Sequence, residues 1–148
     1  MAVTGQDDRF AQAAGRHLVD AKVLAAENRF DNAVYLAGYV VECSLKTVIS
    51  YHLGEAEARR WRHDLTGLQG PALQQLTVLV PHAQVRMPSS GTQGTVLESG
   101  HPERRYWASC QWTQEETTVA LGRAFEIYRD TVVAMVLDGV LTAGELVV

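Results

Sequence analysis

The chain has little cysteine and no excess of basic residues, and each shortage excludes a class of protein. Only two cysteines, Cys43 and Cys110, occur in 148 residues, and their separation suggests neither a disulfide framework nor a zinc site. Thirteen basic residues against 17 acidic ones give a net charge of −4. The chain as a whole therefore lacks the positive charge of an avid nucleic-acid binder, although a local basic patch stays open.

Long uncharged apolar runs and recognisable cofactor motifs are also missing. No such run approaches the roughly 18 to 20 residues of a membrane helix, and the N-terminal MAVTGQDDRF lacks the basic start and apolar stretch of a signal peptide. We therefore expect a cytoplasmic protein that does not bind membranes. There is no glycine-rich phosphate loop, Ser/His/Asp signature, zinc spacing or paired-carboxylate motif, so we expect no metal and no cofactor.

What is present is a composition for one globular domain over residues 1–148, with 47% hydrophobic residues. Apolar residues at spacings of three and four predict a helix from about Gln6 to Asn28. A second helix should begin with Asp31 as its N-cap and run to about Leu53, where Gly54 ends it. The short joint between these two helices predicts an antiparallel hairpin.

The second half of the chain predicts further helices around a long loop. A short charged segment, EAEARRWR, precedes a leucine-rich third helix that Gly70 and Pro71 should break. Residues 81–112 hold three of the four prolines and no sustained period, which indicates a long ordered loop. Thr113 and Glu116 form a capping box for a last helix to about Leu137. The predicted buried face of this helix comprises Leu121, Phe125, Tyr128, Val132, Met135 and Val136.

No segment alternates with period two for long enough to predict a strand. The expected fold is therefore all-α, an antiparallel up-and-down bundle of four to five helices with a long loop before the last helix.

The second helix carries a narrow polar stripe. At 100° per residue an arc of about 80° holds its members, which are Asn32, Tyr35, Tyr39, Glu42 and Lys46. Glu42 and Lys46 form an i,i+4 pair in the favourable order. The stripe is compatible with the solvated face of a buried helix, with an interface, or with a ligand-facing surface. The two tyrosines favour a partly solvated interface. The residues of the predicted interface are Tyr35, Tyr39, Glu42 and Lys46.

Three other groups carry polar chemistry. Arg104, Arg105, Tyr106 and Trp107 end the long loop and combine two planar cations with two aromatic rings, which suits a phosphate or a nucleotide base; packing of the loop onto the bundle explains them equally well. His63 and Asp64 form either an acid–base pair or a helix cap beside a histidine that satisfies a carbonyl. The run Arg59–His63 suits a solvated surface better than a phosphate site.

One histidine, His17, lies in the apolar stripe of the first helix and is expected to be a core or interface histidine.

Four short elements in order resemble the HEPN domain family (higher eukaryotes and prokaryotes nucleotide-binding). They are Asn28–Asp31, then Val41–Lys46 with the sequence VECSLK, then His63–Leu65, and finally Glu103–Trp107 with the sequence ERRYW. The resemblance covers most of residues 11–137. It implies a helical bundle that usually dimerises, often beside a minimal nucleotidyltransferase in a toxin–antitoxin pair.

Active HEPN toxins are metal-independent endoribonucleases with an arginine, four to six residues, and a histidine near the start of the last helix. This chain departs from that pattern, because Arg104 and Arg105 are followed by Tyr106 to Trp112 without a histidine. We therefore expect a non-catalytic or degenerate HEPN-like subunit that binds a nucleotidyltransferase-type partner or a nucleotide or RNA ligand. The alternative is an endoribonuclease with a departed motif, in which Arg105 binds phosphate and His63 or Tyr106 exchanges the proton.

Overall fold

The structure is a computed structural model, and it describes residues 9–146. Helix α1 is Phe10–Ala26 and helix α2 is Phe30–Leu53, and the two pack along each other as the predicted antiparallel hairpin. The predicted first turn of α1 at Gln6 lies outside the described residues. Apolar residues at helical spacing put Ala14, Leu18 and Ala21 into the core.

The start of α2 differs from the prediction. Its N-cap is Arg29, which makes no side-chain cap, and Asp31 lies inside the first turn, where its carboxylate accepts hydrogen bonds from a distant part of the loop. Gly54 does end the helix, with a φ of 95°, which glycine tolerates because it has no Cβ.

The leucine-rich segment is continuous rather than broken. Helix α3 is Glu55–Arg60, helix α4 is Leu65–Gly67, and helix α5 is Leu73–Leu79, with a π-helical turn at Leu68–Ala72 between the last two. Pro71 lies in this wide turn, and the wide turn accommodates a residue that has no N–H to donate. Arg59 and Arg60 pair with Glu55 and Glu57 on the surface of α3, as expected of a solvated run.

The long loop has only three 3₁₀ turns, at Pro81–Arg86, Val96–Glu98 and Glu103–Tyr106. After it, the capping box at Thr113 and Glu116 starts helix α6, Gln114–Tyr128, as predicted. A π-helical turn at Arg129–Val133 joins α6 to helix α7, Ala134–Leu137. Phe125 is 40% exposed rather than buried, and Lys22 lies over its ring at 5.1 Å.

The core is built around α2. Helices α1 and α6 pack against it and against each other, and the main cluster of buried side chains joins all three to α4 and the loop residue Leu97. The described residues contain helices and no strand, which confirms the all-α bundle. Helix α2 is long and apolar enough to cross a membrane, but 78% of its most apolar window is buried in the bundle.

Candidate functional site

The polar stripe of α2 is enclosed by the rest of the chain only at Glu42 and Lys46. Asp31 accepts hydrogen bonds from the backbone amides of Cys110 and Gln111 at 2.7 and 2.9 Å, which ties the end of the loop to the start of α2. Glu42 and Lys46 are only 4% and 5% exposed. Buried charges are stable only with good partners, so the contacts of this pair define the site.

The predicted interface on α2 therefore depends on its two tyrosines. Tyr35 and Tyr39 are half-buried, whereas Glu42 and Lys46 are enclosed within their own chain. The interface stays a prediction, and Tyr35 and Tyr39 are the members that another molecule could contact.

Glu42 is the centre of a cluster of four charged or titratable side chains. Its Oε1 lies 3.0 Å from Nδ1 of His63 and 2.9 Å from Nε2 of His101, and its Oε2 accepts a hydrogen bond from Nζ of Lys46 at 3.1 Å. An ionised carboxylate only accepts hydrogen bonds, so both ring nitrogens that face it carry protons. We call Glu42, His63 and His101 the Glu–His–His cluster.

The contacts of Glu42 lower its pKa below the ordinary value although the group is buried. Burial alone raises the pKa, but the hydrogen bond from His101, the charge of Lys46 and the hydrogen bonds from His63 and Lys46 lower it by more. The carboxylate is therefore ionised at neutral pH.

The sequence left two readings of His63 and Asp64 open, and the structure separates the two residues. Asp64 caps α4, because its carboxylate accepts a hydrogen bond from the backbone amide of Gly67 at 2.9 Å. His63 is directed at Glu42 instead of at a carbonyl.

Lys46 holds the second oxygen of Glu42 and anchors the turn before α4. Besides its bond to Glu42, its ammonium donates to the backbone carbonyl of Arg62, next to His63. The ring of Phe10 lies 5.7 Å from Nζ, a distance at which a cation is attracted by the ring face. The buried pair is thus fully engaged, which explains how two charges persist in the core.

Tyr39 packs against both imidazoles of the cluster. Its ring centre lies 4.6 Å from that of His101 and 5.7 Å from that of His63, edge to face in both cases. His17, expected to be a core or interface histidine, touches the same ring at 5.7 Å. Burial, followed by the hydrogen bond with Tyr35, raises the pKa of Tyr39, so this side chain is a neutral phenol that fixes ring orientation.

The two histidines differ in their access to solvent. The side chain of His101 is 1% exposed and that of His63 is 51% exposed. Both line a cleft of about 480 Å³ formed by residues 62–66 and 97–103. His63 bonds Glu42 through Nδ1, so its Nε2 is left for a group that enters the cleft.

Gly38 is the position on α2 that lets the loop approach. A Cβ there would lie 2.5 Å from Nδ1 of His101 and 3.0 Å from Nη1 of Arg104. Any larger residue would push both side chains away from the helix. Gly38 therefore sets the distance between α2 and the loop and, with it, the contact between His101 and Glu42.

Arg104 is a buried cation with unused hydrogen-bond donors. It is 6% exposed, and its Nη2 donates to the backbone carbonyls of Val96 and Ser99. Its Nε and Nη1 are buried with no hydrogen-bond partner, and no carboxylate within residues 9–146 forms an ion pair with it. Burial lowers the pKa of Arg104 to about 10, so it stays charged at neutral pH.

A second cleft, of about 640 Å³, opens between the start of α2 and the loop. Arg104 and Arg105 lie on its wall together with Trp107 and Trp112, whose ring centres are 6.0 Å apart. We call it the arginine–tryptophan cleft. Its remaining lining residues are Asn28, Arg29, Phe30, Asp31, Asn32, Ser109 and Cys110.

Arg105 is exposed at this cleft and is oriented by tyrosines. Its hydrogen bond with Tyr35, followed by the nearby Tyr106 hydroxyl, raises the pKa of the guanidinium. The guanidinium also lies 4.8 Å from the ring centre of Tyr106. Cation and ring can thus meet a phosphate and a base together.

The residues that the sequence singled out at the end of the loop do not all line this cleft. Arg104, Arg105 and Trp107 line the arginine–tryptophan cleft, while Tyr106 does not and is 78% exposed. Trp107 also packs the loop, because its ring fills the space where a Cβ on Gly100 would be, at 2.4 Å. Loop packing by this segment is thus present, and ligand contact stays a prediction.

The residues of the alternative catalytic group are not all brought together. Arg105 lines one cleft and His63 the other, with Tyr39 between them: its ring contacts His63, and the charge of Arg105 acts on its pKa.

Sequence reasoning missed His101. It lies 59 positions from Glu42 and 38 from His63, in a Gly-His-Pro turn that no spacing rule connects to either. The one available signal is its place in the long loop, three residues before Arg104.

No protein-family model, no curated protein and no solved structure matches this chain. The HEPN resemblance thus stays a prediction that rests on the four sequence elements.

Proposed function

We propose that this chain is a HEPN-like helical subunit that binds a phosphate-bearing ligand, a nucleotide or RNA, in the arginine–tryptophan cleft. The observation that carries the proposal is Arg104, a buried cation that lines the cleft and has two unused donor nitrogens. A buried cation without a counter-ion is costly, and the charge of an anion in the cleft would offset part of that cost.

The other walls of the cleft fit the same class of ligand. Arg105 offers an exposed guanidinium, which binds phosphate through paired N–H groups. Trp107 and Trp112 offer ring faces for a base. Asp31 is the one acid on the wall, and its two oxygens are already occupied by the amides of Cys110 and Gln111.

The proposed partners follow from the HEPN resemblance. Members of that family usually form homodimers and often act beside a nucleotidyltransferase-type protein in toxin–antitoxin systems. We propose the same assembly here, with the half-buried tyrosines of α2 at the contact surface.

Ligand binding is tested by titrating the tryptophan fluorescence of the purified protein with ATP and, separately, with a short single-stranded RNA. We expect Arg105→Ala to weaken binding by about tenfold or more, the equivalent of one charge-assisted hydrogen bond. Arg60→Ala is the matched control, because Arg60 is an exposed arginine on α3 that pairs with Glu57. Equal affinity of wild type and Arg105→Ala, or no binding by wild type, would overturn the proposal.

A second candidate function, metal-independent RNA cleavage, is favoured by one observation. His63 is held by the Glu42 carboxylate in a fixed tautomer while its Nε2 is free to exchange a proton at the cleft, which is the arrangement of a general base. Arg105 would bind the phosphate.

Cleavage of RNA in the presence of a chelator tests this candidate. Activity that His63→Ala and Arg105→Ala both abolish, with Arg60→Ala fully active, would support it. Binding of RNA without cleavage would leave the chain as a binding subunit.

A further inference from the structure

We propose that the Glu–His–His cluster is a binding site for a divalent transition-metal ion, Zn²⁺ by its donor set. Two imidazole nitrogens and one carboxylate oxygen form a donor set of zinc sites that keep a fourth position open. The proposal is independent of ligand binding in the arginine–tryptophan cleft, because none of the three residues lines that cleft.

The donor atoms are already close to the spacing that a metal requires. The ligand atoms of Glu42, His63 and His101 all lie within 4.8 Å of one another, and Oε1 is 3.0 and 2.9 Å from the two ring nitrogens. Tetrahedral zinc with bonds of about 2.0–2.1 Å puts neighbouring donors roughly 3.3 Å apart. Oε1 and each ring nitrogen would need to separate by only a few tenths of an ångström.

The cluster is held in place by its surroundings. Glu42 projects from the middle of a 24-residue helix, and His101 is fixed between Gly38 and the ring of Tyr39. His63 is placed by the turn whose Arg62 carbonyl binds Lys46. Preorganised donors lose little freedom on binding, which favours affinity.

The donor atoms of the cluster can be reached from solvent through the cleft. His63 is half exposed and lines the 480 Å³ cleft together with His101. An ion could reach the donors through this cleft and keep its fourth position toward it.

The positive charge of Lys46 should lower the affinity of the cluster for a cation, which gives a further test. Its ammonium holds Oε2, which leaves Oε1 as the ligating oxygen, and its positive charge repels a cation. We expect Lys46→Gln, which keeps a hydrogen-bond donor and removes the charge, to bind the ion more tightly than wild type.

A bound ion would also prevent the imidazoles from acting in proton transfer. It would take the ring nitrogens that now donate to Glu42, so a proton-transfer role of His63 belongs to the ion-free protein. Inhibition of RNA cleavage by Zn²⁺ and its recovery with chelator would distinguish the two uses.

The test is a titration of tag-free, chelator-treated protein with Co²⁺, followed by visible absorption, and with Zn²⁺, followed by calorimetry. We expect one ion per chain and a tetrahedral Co²⁺ spectrum, with affinity reduced by about tenfold or more in His63→Ala and in His101→Ala. The control is the double variant His52→Ala/His82→Ala, which removes the other imidazole pair, with ring centres 5.6 Å apart.

Each outcome decides the proposal. Loss of binding in the cluster variants with an unchanged control supports it. No saturable binding by wild type, or loss only in the His52/His82 control, overturns it. If His101→Ala fails to fold by circular dichroism, the half-exposed His63→Ala variant gives the answer alone.

Discussion

At the scale of single residues, the site depends on one missing side chain. Gly38 lies on α2 opposite His101 and Arg104, and a Cβ there would overlap both. The same glycine therefore supports both clefts: it lets His101 reach Glu42 and it lets Arg104 lie beneath the arginine–tryptophan cleft.

We predict that Gly38→Ala destabilises the protein by about 1–3 kcal/mol through overpacking and weakens nucleotide binding. Gly122→Ala is the matched control, because Gly122 lies in α6 with nothing within 4 Å of its added Cβ. Alanine there should stabilise the helix by about 0.5–1 kcal/mol. Urea unfolding measures both, and equal effects of the two substitutions would contradict the role of Gly38.

At the scale of elements, the loop of residues 81–112 is held at several points. Near its middle, Arg123 of α6 donates to the carbonyls of Gly91 and Gln93. At its end, Asp31 of α2 binds two loop amides. Between these anchors lie His101, in a turn, and Arg104, in the 3₁₀ turn that follows it. The site residues are therefore positioned by bonds to α2 and α6 rather than by an α-helix of their own.

The capping box predicts a specific cost for Thr113→Ala. The Thr113 hydroxyl accepts from the Glu116 amide at 3.1 Å, and the Glu116 carboxylate accepts from the Thr113 amide at 3.1 Å. Loss of this cap should lower the free energy of unfolding by about 1 kcal/mol. Thr118→Ala, an exposed threonine inside α6, should change it little, and an equal loss in both variants would argue against the cap.

The start of the loop predicts a pH dependence through Asp130. Partial burial raises the pKa of Asp130, but hydrogen bonds from the hydroxyl and amide of Ser89 and the contact with Arg129 lower it by more. A carboxyl whose pKa is lower in the folded state stabilises the protein above its unfolded pKa of about 3.9. That stability is lost as the pH falls through the folded pKa.

The measurement for Asp130 is urea unfolding at several pH values. Asp130→Asn should be less stable than wild type at pH 7 and should show a smaller loss of stability on acidification. An unchanged pH profile would show that the Ser89 contact does not contribute.

At the scale of the whole molecule, charge and shape indicate a local rather than a global binding surface. The net charge of −4 gives no general attraction for phosphate, so the proposed binding depends on the arginines of one cleft. Tyr35 links this cleft to the predicted interface, because it acts on the pKa of Arg105 and its ring centre lies 5.3 Å from that of Tyr39.

We predict a homodimer of twice the 16.3 kDa chain mass, measured by light scattering over a dilution series. Tyr35→Ala should shift the equilibrium toward the monomer, because aromatic side chains contribute strongly to interfaces. Tyr51→Ala is the control, since Tyr51 lies on the same helix and is 49% exposed outside the polar stripe. A monomer at all concentrations would reject the dimer, and dissociation in both variants would place the interface elsewhere.

The sequence by itself determined the helical elements, because helical periodicity, the glycine after α2 and the capping box before α6 are local signals that act within a few residues. It missed the π-helical turn at Pro71 and the true role of Asp31, since both depend on how distant segments pack. Only the tertiary structure decided the site. Glu42, His63 and His101 meet across separations of up to 59 positions, where chain folding rather than sequence spacing sets the distance.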